Sequence, residues 1–246
     1  MTLPLYLVDP PALERVAPGD ALELGGDEGR HAATVRRTRV GERLLVAAGL
    51  GRCARTLVEQ VGQGRLALRV EDVDSVAPPV PGLVLVQALA KGGRDELAVE
   101  TATELGVDAV VPWQAARSVV VWSGERGERS RRKWETTVRA AAKQARRPLV
   151  PPVRPTVRTR DLAAAAASAA VLVLHEDAPL ALAQAPVPAG GELWVVEGPE
   201  GGIAPEELAE LAAAGAVVAR LGPQVLRSSS AGAAALAVLS VRLNRW

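Results

Sequence analysis

Over roughly the first 75 residues the apolar positions fall in short runs, several of them alternating with polar neighbours: Leu5–Val8, Ala21–Leu24, Arg43–Ala47, Arg55–Val61 and Leu66–Val70. Glycine-containing turns at Gly19-Asp20, Gly25-Gly26, Gly41-Glu42, Gly49–Gly51 and Gly62–Gly64 separate them. Period-two runs bounded by turns predict strands, here a small β-barrel or sandwich. His31–Arg39 reads as its one short helix. Ala77-Pro78-Pro79-Val80-Pro81-Gly82 then forms a stiff linker, which divides the chain into a first domain of residues 1–76 and a second of residues 82–246.

Beyond the linker, strands and helices alternate, the pattern of a parallel sheet. Leu83–Leu89 reads as a strand, Arg94–Leu105 as a helix stopped by Gly106, and Val107–Val111 as a strand ended by Pro112. Ser118–Trp122 reads as a further short β-like run. Ser130–Arg147 has helical periodicity with two faces. Trp134, Val138, Ala141 and Ala145 recur on one, and Arg132, Arg139, Lys143 and Arg146 on the other. Pro148–Arg160 reads as extended and Ala163–Ala170 as helical.

Three later strands each run into a polar loop. Val171–Leu174 leads to His175-Glu176-Asp177, Leu193–Val196 to Glu197-Gly198-Pro199-Glu200-Gly201-Gly202, and Val217–Leu221 to Gly222–Ser230. Pro205 suits the first position of a helix, Glu206 and Glu207 complement its positive end, and Gly215 suits its exit. The final helix, Ala231–Leu243, follows serines placed to cap its start. At Gly198–Gly202 an ordinary βα turn and a ligand loop are both open readings. Since parallel strands bring all three loops to one sheet edge, they build a shared pocket, which favours the ligand reading. The loop matches neither G-x-G-x-x-G nor the Walker pattern, which argues against a dinucleotide or nucleoside triphosphate.

Charge adds a second feature. The net charge is only +1, yet Arg126–Arg160 holds 12 basic residues against Glu128 and Glu135. A concentrated basic segment on an otherwise acidic chain is the footprint of a polyanion-binding surface. A solvated charged face is the other open reading; on the first, Arg36 and Arg37 of the first domain join Arg139, Lys143, Arg146 and Arg147 as candidates for contact with nucleic-acid phosphates. One cysteine, Cys53, and two histidines, His31 and His175, argue against a disulfide or a metal cluster. With no run long enough for a membrane span and no signal-peptide pattern in Met1–Leu13, a soluble cytoplasmic protein is expected.

The loops Glu197-Gly198-Pro199-Glu200-Gly201-Gly202 and Leu221-Gly222-Pro223-Gln224-Val225-Leu226-Arg227 closely resemble the signature of the 16S ribosomal RNA uracil-N3 methyltransferase family, part of the SPOUT class. The likeness continues through Glu104–Val107, Ala141–Arg147, and His31, Val35, Arg37 and Gly41. It implies a small N-terminal PUA-like RNA-binding β-barrel followed by an α/β trefoil-knot methyltransferase domain. It also implies a homodimer, S-adenosyl-L-methionine as cofactor, and 16S rRNA in the small ribosomal subunit as substrate, with no metal and no membrane. Carried onto this chain, the cofactor would be held by Leu174, His175, Glu176, Glu197, Gly198, Pro199, Gly201, Gly202, Leu221, Gly222, Pro223, Val225, Leu226, Ser228 and Ser230.

For chemistry, Arg227 is the expected stabiliser of negative charge developing on the uracil. Glu200 is the expected proton acceptor, or else a charge partner for a helix N-terminus. The chain departs from the family pattern at Ser229, where a carboxylate is common, at Thr101, at Lys143, and in lacking an arginine near Pro4. Two other functions compatible with the residues are SPOUT methylation of another RNA target and a non-catalytic ribosome-binding factor.

Overall fold

The computed structural model describes residues 3–246; Met1 and Thr2, the start of the leader reading, lie outside them. The chain divides into two compact units, Met1–Pro78 with Ala142–Val150, and Pro79–Ala141 with Pro151–Trp246.

The first unit contains β1 (Leu5–Leu7), β2 (Ala21–Leu24), α1 (Gly26–Arg30), β3 (Arg43–Ala47), β4 (Arg52–Val61) and β5 (Leu66–Ser75). They form one sheet in the order β1-β3-β4-β5-β2, antiparallel except for the β1–β3 pair. It is an open, curled half-barrel with β1 and β2 at its edges. Register shifts at Arg55/Thr56 and Val58/Gln60 bend the long β4–β5 ribbon. The alternation seen in sequence becomes a buried face carrying Leu44, Val46, Ala54, Val58, Leu66, Leu68 and Val70. The helix expected at His31–Arg39 begins earlier, at Gly26, and continues as a widened π turn over His31–Val35. Arg37, at φ 54°, lies beyond its end.

The second unit contains β6 (Gly82–Ala88), α2 (Arg94–Glu104), β7 (Ala109–Trp113), α4 (Thr159–Ala165), β8 (Ala170–Leu174), β9 (Glu192–Glu197), α5 (Pro205–Ala213), β10 (Val217–Ala219) and α6 (Ala231–Arg242). Helix α3 (Gly124–Gln144) buries Trp134, Val138 and Ala141 along its apolar face. All pairs in the β10-β8-β9-β6-β7 sheet are parallel. Leu83, Val84, Leu85 and Val86 of β6 are fully buried, as a central strand covered on both faces requires. Part of the proline-rich segment lies along β7, through bridges Val110–Val153 and Trp113–Val157.

Three local expectations differ from the structure. Ser118–Trp122 is irregular: the Gln114 side chain donates to Val120 O (3.0 Å) and accepts from Trp122 N–H (3.1 Å), taking the bonds a neighbouring strand would make. The alanine-rich helix is displaced to Thr159–Ala165, started by Asp161 accepting from Arg158 N–H (2.8 Å), and Ala170 already belongs to β8. No serine side chain caps α6.

Candidate cofactor site

Strands β10, β8 and β9 are neighbours in the sheet, so the loops leaving their carboxyl ends emerge side by side. They enclose a cavity of about 290 Å³. From β8 come Leu174, His175 and Glu176; from β9, Glu197, Gly198, Pro199, Glu200 and Gly202; after β10, Leu221, Gly222, Val225, Leu226, Arg227 and Ser228. Of the residues expected at the cofactor, Gly201, Pro223 and Ser230 do not line it. Arg94, Ile203, Gln224 and Ala231 line it without having been singled out in sequence.

The glycine loop is shaped by close packing. Gly202 N–H donates to Pro199 O (2.9 Å), closing a turn in which Gly202 has φ +72°. At Gly198 a Cβ would lie 2.7 Å from Ile203 Cγ1, so a side chain there collides with the loop's own apolar anchor. Helix α5 is fixed below this loop by Glu207, which is buried. Its carboxylate accepts from Ala204 N–H (3.4 Å), Ala116 N–H (3.0 Å) and the Thr159 hydroxyl.

Glu200 Oε1 accepts from Arg94 Nη1 (3.1 Å) and Lys91 N–H (3.3 Å). Both bonds converge on one oxygen. Arg227 is exposed at the cavity wall, and its carbonyl accepts from Ser230 N–H (2.8 Å) and Ala231 N–H (3.0 Å), which folds the turn into α6. Val225 and Leu226 are 77% and 41% exposed, apolar surface of the kind ligands cover. Leu221, Ile203 and Leu226 offer apolar contact for a nucleobase, and loop backbone and polar side chains surround them. This donor set fits a nucleoside-type cofactor and contains no metal-ligating cluster among the described residues.

Beneath the cavity Glu197 is 3% exposed. Its Oε2 accepts the α6 backbone N–H of Gly232 (2.7 Å), with the Ala231 amide also near the carboxyl. Burial pushes its carboxyl well above the ordinary range, although these helix amides pull the other way.

The RNA candidates are placed individually. Arg36 and Arg37 are exposed on the first unit, as is Arg146; Arg147 of that unit is half-buried, and Arg139 of the second unit is exposed. The expectation that Lys143 contacts phosphate is corrected. Its ammonium is ion-paired with Glu28, lies 3.1 Å from His31 Nδ1 and sits over the Tyr6 ring at 5.0 Å. These three partners are what the side chain spends its charge on, inside the first unit.

A parallel sheet whose adjacent loops enclose one cavity, with a glycine turn opposite a Leu-Gly-Pro loop, defines the protein class. The RNA methyltransferase domain model matches residues 78–240, and the chain belongs to that family. Over 233 residues it is 50% identical to ribosomal RNA small subunit methyltransferase E of Mycobacterium bovis, with 93% of this chain and 89% of the relative covered. The same figures hold for the protein of that name from Mycobacterium tuberculosis. Among solved structures, ribosomal RNA small subunit methyltransferase E from Neisseria gonorrhoeae, bound to S-adenosyl methionine, superposes with a TM-score of 0.85. That pair is 25% identical, and 98% of each chain is covered.

Proposed function

We propose that this chain is an S-adenosyl-L-methionine-dependent methyltransferase that modifies N3 of a uridine in 16S rRNA of the small ribosomal subunit. The observation that carries the reading is the convergence of the β8, β9 and β10 loops on one cavity. The relatives' names and the cofactor-bound neighbour support it. When bound, the cofactor supplies a methyl group already activated by its sulfonium, so the protein's task is mainly positioning.

Leu221, Ile203 and Leu226 hold the adenine, and backbone groups of Gly198, Gly202 and Gly222 approach the ribose. Uracil N3 carries a proton at neutral pH and has to lose it. Glu200 accepts that proton at Oε2, the oxygen not engaged by Arg94 and Lys91. Arg227 faces the negative charge that develops on the uracil. Phosphate contacts come from Arg36, Arg37, Arg146 and Arg147 on the first unit and Arg139 on the second. They position the RNA without reading its sequence. The first unit is taken as the PUA-like RNA-binding domain and the second as the trefoil-knot domain, on the family likeness. A homodimer is supported by apolar side chains left on the second unit's surface, Leu97, Val119 and Val121, at 51%, 71% and 61% exposure.

The test is methylation with labelled S-adenosylmethionine of small subunits lacking the modification, followed by RNA digestion and nucleoside identification. Labelled 3-methyluridine is the expected product. Another methylated nucleoside overturns the target, and absence of both label and cofactor binding overturns the activity.

A further inference from the structure

Glu197 lines the floor of the cavity and Gln87 lies beside it in the sheet; one acceptor oxygen of each is left without a donor, and the buried Ser228 hydroxyl bonds to neither. Gln87 and Glu197 are paired in register on adjacent parallel strands, so their side chains leave the same face of the sheet. They are 0% and 3% exposed, and the Oε1 atom of each has no hydrogen-bond partner. Turning the Gln87 amide over does not resolve this. Its Nε2 donates to Ala88 O (3.3 Å) and Ser228 O (3.5 Å), and a flipped amide would set oxygen against both carbonyls.

Ionised Glu197 would also be a sealed anion with no cation bonded to it. The charged and titratable groups facing the cavity are Arg94 of α2, His175 and Glu176 after β8, Glu200 after β9, and Arg227 before α6. Arg94 is engaged with Glu200, and none of the others bonds to the Glu197 carboxyl. A proton on Glu197 Oε1 would satisfy both acceptors at once, because the resulting hydroxyl could donate to Gln87 Oε1.

The other ends of both side chains grip the same turn. Gln87 Nε2 reaches the Ser228 carbonyl, and Glu197 Oε2 takes the N–H group of Gly232. That turn begins at Arg227.

We propose that Glu197 is held as a neutral acid hydrogen-bonded to Gln87, and that this pair is a positioning device fixing the Arg227–Gly232 turn at the cofactor cavity. The functional part rests on the cavity being the cofactor site; the protonation does not. Neither residue touches the reacting atoms.

Two measurements test it. The first is the infrared difference spectrum of cofactor-free wild-type protein and E197Q at neutral pH. The wild type shows a protonated carboxylic C=O band that shifts in D2O and is missing from E197Q; absence of that band overturns the neutral acid. The second is equilibrium binding of S-adenosylmethionine, with folding checked by circular dichroism. A glutamine amide donates to Gln87 and its carbonyl accepts from Gly232, so E197Q binds within about threefold of wild type, whereas E197A and Q87L bind about tenfold more weakly. Wild-type affinity falls as pH rises far enough to ionise Glu197, and that of E197Q stays flat. E197Q binding as weakly as E197A overturns the positioning role. If E197A does not fold, the band, E197Q and Q87L still decide. Wild-type protein that binds no cofactor refutes the reading of the cavity, and the infrared band then decides the protonation alone.

Discussion

Gly232→Ala tests how closely α6 approaches β9. Gly232 is the second residue of α6, and a Cβ there would lie 2.6 Å from Glu197 Oε2 and 2.8 Å from Leu85 Cδ1. Glycine to alanine in a helix ordinarily stabilises by up to about 1 kcal/mol. Here the methyl group enters a filled space, because Leu85 is fully buried on β6, and overpacking costs about 1–3 kcal/mol. Pushing Glu197 Oε2 off the Gly232 N–H leaves buried polar groups short of a bond, a further ~1–3 kcal/mol. Steric conflict therefore outweighs propensity, for a net loss of about 2–4 kcal/mol. For a chain of this size that lowers Tm by roughly 5–10 °C. All five tryptophans lie in the second unit, so their fluorescence follows its unfolding without signal from the first. A G232A protein as stable as wild type, or more so, would refute the reasoning and show that the helix start shifts freely.

The remaining predictions concern separate contacts. Arg227→Ala loses turnover while tryptophan fluorescence and Tm stay close to wild type, since the exposed side chain supports nothing in the fold; undiminished single-turnover rates would remove Arg227 from the chemistry. Arg245→Ala destabilises the second unit by about 3 kcal/mol, because it strips Asp108, only 16% exposed, of its 2.7 Å partner; a denaturant midpoint equal to wild type would show the pair to be idle. Arg154 and the Trp194 indole bond to Glu192, and the Arg154 bond holds its carboxyl below the usual range. A depressed folded-state pKa adds stability that is complete above the unfolded value near 4.3 and is lost as pH falls below it. E192Q should flatten that acid limb of the Tm–pH curve, and a limb identical in both proteins would count against it. RNA affinity should fall steeply with added salt, as counterion release demands; a flat titration would exclude the arginine contacts.

Most strands were legible because their signal is local. A period-two run between glycines, such as Ala21–Leu24 or Arg43–Ala47, contains its own boundaries. The three-loop cavity was legible for a similar reason, since parallel topology places successive strand ends together. What escaped depended on partners distant in the chain. Ser118–Trp122 alternates like a strand, but Gln114 takes its backbone bonds, and Val119 and Val121 face outward. Serines precede α6, yet a carboxylate 35 positions upstream of Gly232 receives its N–H. Lys143 belongs to a basic stripe by spacing, and only the fold brings Glu28, 115 positions away, to its ammonium. Arg94 had no motif around it. Its place at the cavity follows from the pairing of β6 with β9, which sets the start of α2 beside Glu200.

Arg245 donates to the Pro81 carbonyl and to Asp108, 164 and 137 positions earlier in the chain, so a residue that follows α6 closes the entrance to β6. A ribosome makes the chain in the other order. Strand β6 emerges early and gains β7 soon afterwards, but its other edge has to wait for β9, and the Arg245 clasp forms later still. Until β9 is made the protein therefore carries an unpaired Leu-Val-Leu-Val edge, a surface that chaperones or premature self-association compete for.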